Sequence, residues 1–570
     1  MEHKIDIEDF LFNNLLAVSK PARYIGKEIN EVKKDFDAQE IKFALCFPDI
    51  YEVGMSHLGF KILYGILNSM DGVVCERVFS PWPDFEELLL KNSIELFSLE
   101  SKKPLKEFDV IGFSLSHELN YTNMLNILKL GNIGLKSDAR GDDEPIVIAG
   151  GHACVNPEPI ADFIDAFVIG EAEEVIAEII EVCKSCKKKK DSILRALAAI
   201  EGIYVPSLYT PQKKIKKRFI SDFNNAYYPA DQIVPYISII HDRISLEIMR
   251  GCAGGCRFCQ AGMVTRPLRY RTPEKILEIA NRTYALTGYE EISLMSLSSI
   301  AHPCLTDIIT LLNECFNKKG VSISLPSLRV EENLKNLPFL IAKTKKTGLT
   351  FAPEAGSERL RNVIRKNINM DNLFSVAQEA FKAGWKHLKL YFIIGLPGET
   401  MEDIDGIVRL VRDLSDLKKA YDNRPAHITI SLSAFIPKPH TPFQWEKMED
   451  SVILKERINN IQRKLRKNIF KVDSHNIESS FIEAVFSRGD RKLGAVLLTA
   501  FKSGCRFDNW TDRFNFTLWL DAFRKENIDP YKYTSYKDFA DPLSWDIIDV
   551  GIGRDFLIKE NECAQSVVNT

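Results

Sequence analysis

The chain has no apolar run approaching the ~18 residues that a membrane helix needs. Its opening stretch, MEHKIDIEDFLFNNLLAVSK, lacks the basic segment and apolar core of a secretion signal. These absences set the expectation of a cytoplasmic protein with no membrane partner. Charge of one sign is also missing: 75 basic residues stand against 78 acidic ones, a net charge of −3. No global positive field therefore draws in nucleic acid, although a local basic groove is compatible with the balance. RNA thus stays among the partners without being indicated by charge. Cysteine is sparse, 12 in 570 residues, which excludes a disulfide scaffold. Neither G-x-x-x-x-G-K-[ST] nor G-x-G-x-x-G occurs at the glycine-rich stretch GCAGG, so a nucleotide-phosphate loop is a poor fit there. What remains is 45% hydrophobic and 27% charged, the composition of a globular enzyme. The length corresponds to about three or four domains.

The apolar pattern divides the chain. Residues 1–40 are mixed and polar, a helical lead-in. From 41 to 190, β-rich runs alternate with helical ones: IKFALCF, VVCERVF, DVIGFSLS, PIVIAGG and AFVIGEAEE. Strands alternating with helices predict a doubly wound, Rossmann- or flavodoxin-like parallel sheet. Residues 191–243, punctuated by prolines, read as a linker segment. A second alternation fills 244–448, with strands expected at ISLEIM, EISLMSL, VSISLPSL, LTFAP, HLKLYFIIG and HITISLSAF. Six βα strands fall short of the eight of a full TIM barrel and predict a partial one, with its chemistry at the carboxyl ends of the strands. Residues 449–570 read as a mainly helical C-terminal region.

One short stretch concentrates the thiols. RGCAGGCRFCQAG places Cys252, Cys256 and Cys259 together, directly after the first of these six strands. In a reducing compartment such a cluster binds metal or catalyses. A zinc site needs a fourth ligand to close its tetrahedron, and His302 and Cys304 are the nearest downstream candidates. Iron–sulfur clusters are held by thiolates, usually four per [4Fe–4S]. Three thiolates leave one iron open, the feature that separates a catalytic metal site from a structural one. Cys183 and Cys186 form a lone CxxC without a second pair and read as incidental.

The array resembles the signature of the radical S-adenosylmethionine (SAM) superfamily, CxxxCxxC with an aromatic, here Phe258, before the third cysteine. The resemblance implies a [4Fe–4S] cluster whose open iron binds SAM. It also implies an electron donor such as flavodoxin or ferredoxin, and a 5′-deoxyadenosyl radical that takes hydrogen from a substrate this sequence does not name. It assigns SAM contacts at the strand ends. Ser298 in SLSS stands where the amino group is met. Arg329 in PSLR would take the carboxylate, Glu354 in FAPEAGSERLR the ribose hydroxyls, and Ile394 and Gly395 in FIIGLPGET the adenine.

A doubly wound domain ahead of such a barrel resembles the cobalamin-binding class of the superfamily. It is similar in particular to an uncharacterised bacterial family of B12-type radical SAM proteins, over about residues 40 to 560. Ser114, Gly150 and Gly151 would then line the cobalamin slot. MSHLGF departs from D-x-H-x-x-G, with Met55 in place of the aspartate, and His57 reads as a helix-start residue. With cobalamin, the implied reaction is methyl transfer to an unactivated carbon or a radical rearrangement. FIPKPHTPFQW also resembles the tRNA-modifying methylthiotransferase branch, but Cys46, Cys75 and Cys154 lack the spacing for its second cluster. A cobalamin-independent enzyme acting on RNA is the alternative, and a non-enzymatic metal or corrin carrier the second. RGDR and GCRFDNW read as either a substrate-handling patch or surface salt bridges.

Overall fold

A computed structural model describes residues 6–186, 189–210, 213–324, 349–366 and 368–569. The first domain is a six-stranded sheet. Its strands are β1 (Ile41–Phe47), β2 (Val73–Phe79), β3 (Val110–Ser114), β4 (Ile146–Gly150), β5 (Ala166–Val168) and β6 (Ile203–Tyr204). Their order is β2-β1-β3-β4-β5-β6, parallel throughout except that β6 runs against β5. Helices such as Leu58–Ser69, Tyr121–Leu130 and Val175–Ser185 cover the sheet. With both faces covered, the strands are near-continuous apolar runs. Even Glu76 and Arg77 on β2 are buried. Arg77 survives there because Glu28, Glu31 and Glu100 surround its guanidinium at 2.7, 3.0 and 2.6 Å. Two of these partners come from the N-terminal lead-in, which is thereby fastened to the sheet.

The segment 191–243 does more than link. It supplies β6, and its Ile215–Lys216 pairs in parallel with Ile548–Asp549 near the far end of the chain. The order β2-β1-β3 places a topological switch between β1 and β3, where open α/β sheets bind ligands beyond their carboxyl ends.

The second domain contains the six expected strands: β7 (Ile244–Glu247), β8 (Glu291–Met295), β9 (Ser322–Ser324), β10 (Leu349–Glu354), β11 (His387–Ile394) and β12 (His427–Ala434). They form two parallel arcs, β9-β8-β7 and β10-β11-β12, and a further strand, β13 (Phe470–Ser474), extends the second arc. The C-terminal region thus contributes a strand to the barrel sheet, which its helical periodicity did not reveal. Along β11, Leu388, Leu390, Phe392 and Ile394 are buried while Lys389, Tyr391 and Ile393 are half-buried. A strand alternates faces at every residue. The first set packs in the hydrophobic core, and the second lines an accessible, more polar interior.

The C-terminal helices pack on both domains. Asp508, in GCRFDNW, accepts hydrogen bonds from Thr122 Oγ1 at 2.6 Å and Trp519 Nε1 at 2.9 Å. Trp510 donates to Asp49 beside β1. In RGDR, Arg488 is buried and donates to the carbonyls of Glu446 and Ser535, while Arg491 pairs with Glu158. Both motifs serve as docking surfaces within the chain.

Candidate active site

The cysteine loop leaves β7 at the carboxyl end of the barrel. Gly251 opens it with φ +94°, and a Cβ there would lie 2.8 Å from the Pro267 carbonyl oxygen, so only glycine fits the turn. Cys256 is buried, and Cys252 and Cys259 are half-buried. Gly254 N–H donates to Cys252 Sγ and Gly262 N–H to Cys259 Sγ, each at 3.3 Å. Such bonds favour thiolates and tune a bound cluster. Cys259 caps the helix Gln260–Val264. Burial pushes its thiol up to about 11, opposed by the Gly262 amide, while the neighbouring Cys256 and Cys252 push further upward.

Among the described residues, the group of three metal-capable ligand atoms lying within 4.8 Å of one another is His117, Glu118 and Glu483, not the cysteines. Thiolates on one zinc ion, with bonds of ~2.3 Å, would sit only about 3.8 Å apart. The proposed zinc partner His302 is also engaged: Nε2 lies 3.0 Å from the Arg271 carbonyl, and Nδ1 accepts from Cys304 N–H at 3.1 Å.

The loop is held from outside by charge. Arg250, two residues before Cys252, binds Glu247, Glu173 and Glu171 at 2.8, 2.8 and 3.2 Å. Arg269 meets Glu171 at 2.6 Å. The acidic residues of VIGEAEE, at the carboxyl end of β5, therefore tether the barrel to the first sheet. Sequence alone marked this stretch only as a strand end.

The assigned SAM contacts distribute unevenly. Ser298 follows β8 and is buried, with no hydrogen-bond partner for its hydroxyl among the described residues. An orphaned buried hydroxyl suits a ligand's polar group. Glu354 ends β10 beside a register break and holds φ +68°, a strained conformation for a non-glycine residue. Its carboxylate lies 3.2 Å from Lys366, whose charge also reaches Cys259. Glu354 and the cysteine loop thus share one neighbourhood. Gly395 N–H donates to buried Glu399 at 2.7 Å, and Glu399 is held by Arg457 at 2.8 Å. Burial pushes Glu399 up to about 7 against those bonds. The side chain of Ile394 is wholly buried in the core because of strand alternation. Ile393, on the other face, packs with Phe258 against an apolar cluster containing Leu396, Phe435 and Phe443. Arg329 lies outside the described residues.

The carboxyl edge of the first sheet, at its switch point, is the candidate cobalamin cleft. His57, Ser116, Gly151 and His152 reach solvent, and Ser114 and Gly150 are half-buried. Desolvation by the surrounding chain, with His152 nearby, pushes His57 down to about 4. His57 Nδ1 accepts from Phe60 N–H at 3.3 Å, the helix-start role read from sequence. Gly151 has φ +114°, and its Cβ would lie 2.4 Å from the Leu115 carbonyl oxygen, whereas a Cβ on Gly150 would meet nothing closer than 3.5 Å. The fold itself therefore demands glycine at 151 but not at 150. The cleft ends in an ion network that sequence did not suggest. Lys438, in the PKPH stretch after β12, binds Glu118 at 2.9 Å and Glu483 at 2.8 Å, and His117 binds Glu483 at 3.0 Å. Cys46, Cys75 and Cys154 are buried in the first domain, their thiols pushed up by desolvation, and form no ligand group among the described residues.

Residues 59–206 match the family model for radical SAM proteins, N-terminal, and residues 246–411 match that of the radical SAM superfamily. An uncharacterised protein of Methanocaldococcus jannaschii is 28% identical over 485 residues, 83% of this chain and 96% of its own length. The tRNA-2-methylthio-N(6)-dimethylallyladenosine synthase of Bordetella petrii is 22% identical, over 54% of this chain and 68% of its own. Among solved structures, the radical SAM methyltransferase TsrM of Kitasatospora setae, with cobalamin and a [4Fe–4S] cluster bound, is similar. That match has 13% identity and a TM-score of 0.48, over 71% of this chain and 74% of that one. With the cysteine triad inside the second matched segment, the chain is an enzyme of the radical SAM superfamily.

Proposed function

We propose that the enzyme uses Cys252, Cys256 and Cys259 to hold a [4Fe–4S] cluster and cleaves SAM reductively, with the cleft at the first sheet holding cobalamin. The carrying observation is the triad itself, three thiols on one loop at the carboxyl end of β7, inside the segment that matches the radical SAM superfamily. When bound, the cluster supplies one-electron reduction of SAM. The chain's own residues do the rest. The amides of Gly254 and Gly262 stabilise thiolates. The hydroxyl of Ser298 is free to meet the SAM amino group. Glu354 is positioned for the ribose, with Lys366 holding its charge. Phe258 and Ile393 offer an apolar wall on the adenine side.

The cobalamin reading rests on the flavodoxin-like strand order, whose switch point opens toward the barrel. Ser114 and Gly150, half-buried small residues at the ends of β3 and β4, support the reading. His57 is committed to its helix, so the reading does not use it as an axial ligand. Methyl transfer to an unactivated carbon, or a radical rearrangement, is the reaction this pairing supports. Cys46, Cys75 and Cys154 form no ligand group among the described residues, so the reading does not use a second cluster there.

Anaerobically purified protein tests the proposal. It should carry about four irons per site, release 5′-deoxyadenosine when reduced with SAM, and co-purify with corrin detectable by mass spectrometry after growth with hydroxocobalamin. Zinc in place of iron would sink the first half, and absence of corrin the second. Modified nucleosides and metabolites compared in a deletion strain would separate RNA from small-molecule substrates.

A further inference from the structure

The C-terminal helix Arg554–Val568 lies far from the cysteine loop in sequence, yet its Glu560 reaches that loop. Arg257, between Cys256 and Cys259, has its Nε 3.0 Å from one Glu560 oxygen. The other oxygen takes Arg365 Nη1 at 2.5 Å. Both arginines bear on the loop. Arg257 Nη1 donates to the carbonyls of Asn362 and Val363, and its backbone N–H to that of Ile364. The Arg365 guanidinium lies 3.5 Å from where a Cβ on Gly255 would stand. The adjacent Asn561 is wholly buried and donates to the carbonyl of Pro442 and to Glu446, in the segment after β12. In turn, Phe443 N–H donates to the Arg257 carbonyl. One helix therefore joins the cysteine loop, the turn after the fourth barrel strand and the segment after the sixth.

We propose that Glu560 is a positioning residue: its carboxylate bridges the two arginines that brace the cysteine loop, and fixes both the loop's conformation and the charge beside the cluster. The inference rests on the radical SAM reading of that loop. Arg257 is almost buried, so its charge is poorly screened, and Glu560 is the counter-charge. Without the carboxylate, two guanidiniums are left beside the loop uncompensated. The reduced, more negative cluster is then favoured, because net charge is one of the quantities that set a cluster's potential.

Glu560→Gln keeps the side-chain shape and removes the charge. Glu562→Gln, on the exposed face of the same helix, is the control. Three measurements decide: iron content, an EPR-monitored redox titration of the reconstituted protein, and hydrogen exchange of residues 251–260 in the iron-free protein. The expected result for Glu560→Gln is full iron content and a reduced-to-oxidised ratio raised about tenfold at the wild-type midpoint. That ratio equals about 59 mV for a one-electron couple. Exchange in the loop should be several-fold faster, and Glu562→Gln should match wild type in all three. A wild-type midpoint together with wild-type exchange in Glu560→Gln overturns the proposal. Failure of the radical SAM reading looks different: wild type would hold no iron, while the exchange arm in the iron-free protein would still decide whether Glu560 orders the loop.

Discussion

Replacing Lys438 by Met tests whether the network at the end of the cleft holds the two domains together. Lys438 Nζ donates to Glu118 Oε1 and Oε2 at 2.9 and 3.0 Å and lies 2.8 Å from Glu483 Oε1. The side chains of Lys438, Glu118 and Glu483 are 17%, 7% and 17% exposed, so removing the ammonium leaves two poorly solvated carboxylates facing each other. Breaking a buried pair from one side costs about 3–5 kcal/mol. Partial exposure puts this case near the lower end, about 3 kcal/mol. In a domain of ordinary size that corresponds to a fall in Tm of about 6–12 °C. The assay is urea and thermal denaturation of the single variant and of Lys438→Met with Glu118→Gln. The double variant should recover part of the loss, because it removes one of the stranded charges. The pH dependence carries a second signature. Burial pushes Glu483 up, but Lys438 and His117 overcome it and hold the carboxylate well below its usual range. Its contribution is present above the ordinary glutamate value and is lost as pH falls through the depressed one. Burial lowers His117, but Glu483 overcomes it and raises the imidazole. That contribution is full below about pH 6.5 and is lost as pH rises through the raised value. Within this network the two contributions overlap in mildly acidic solution; Lys438 lowers His117, so the Met variant should show a still higher His117 titration by NMR. A variant within ~0.5 kcal/mol of wild type, the range of an ordinary surface substitution, would refute the reasoning.

Changing Cys252, Cys256 or Cys259 to Ala should abolish iron retention, and unchanged iron in any of the three would remove that residue from the ligand set. Glu354→Gln should weaken SAM binding about tenfold or more, the worth of a charge-assisted hydrogen bond, as read by equilibrium dialysis of reconstituted protein. Gly151→Ala should fail to fold well, since its Cβ would strike the Leu115 carbonyl, whereas Gly150→Ala should fold normally and lower corrin content; equal corrin in Gly150→Ala and wild type would move cobalamin elsewhere. Burial pushes Asp508 up to about 6 against its bonds to Thr122 and Trp519. The stability from its protonated form is present below about pH 4 and is lost as pH rises through 6, on the order of 3 kcal/mol. Asp508→Asn should flatten that slope in urea titrations at pH 4.5 and 7.5.

Periodicity and spacing carried the local layer. Five parallel strands of the first sheet and six of the barrel stand where the apolar pattern placed them, because a strand buried on both faces is apolar along its length and one buried on a single face is apolar at every second residue. The cysteine triad was legible for a similar reason: three ligands on one turn need only a few residues, so their chemistry is written in adjacent positions. Features depending on distant partners were not legible. The acidic VIGEAEE showed its charges but not Arg250 and Arg269, PKPH gave no sign of Glu118 and Glu483, and GCRFDNW did not disclose its place against Thr122 and Asp49. Strand β13 was hidden because a short, half-exposed edge strand has little apolar signal. Which face of β11 each residue takes was not legible either, because one residue of register exchanges the two faces. Sequence by itself determined which chain segments form strands and where the thiols gather, since both are local. Only the tertiary structure decided which charges meet across the cleft and that the final helix braces the cysteine loop, since long-range pairing follows from how the layers pack.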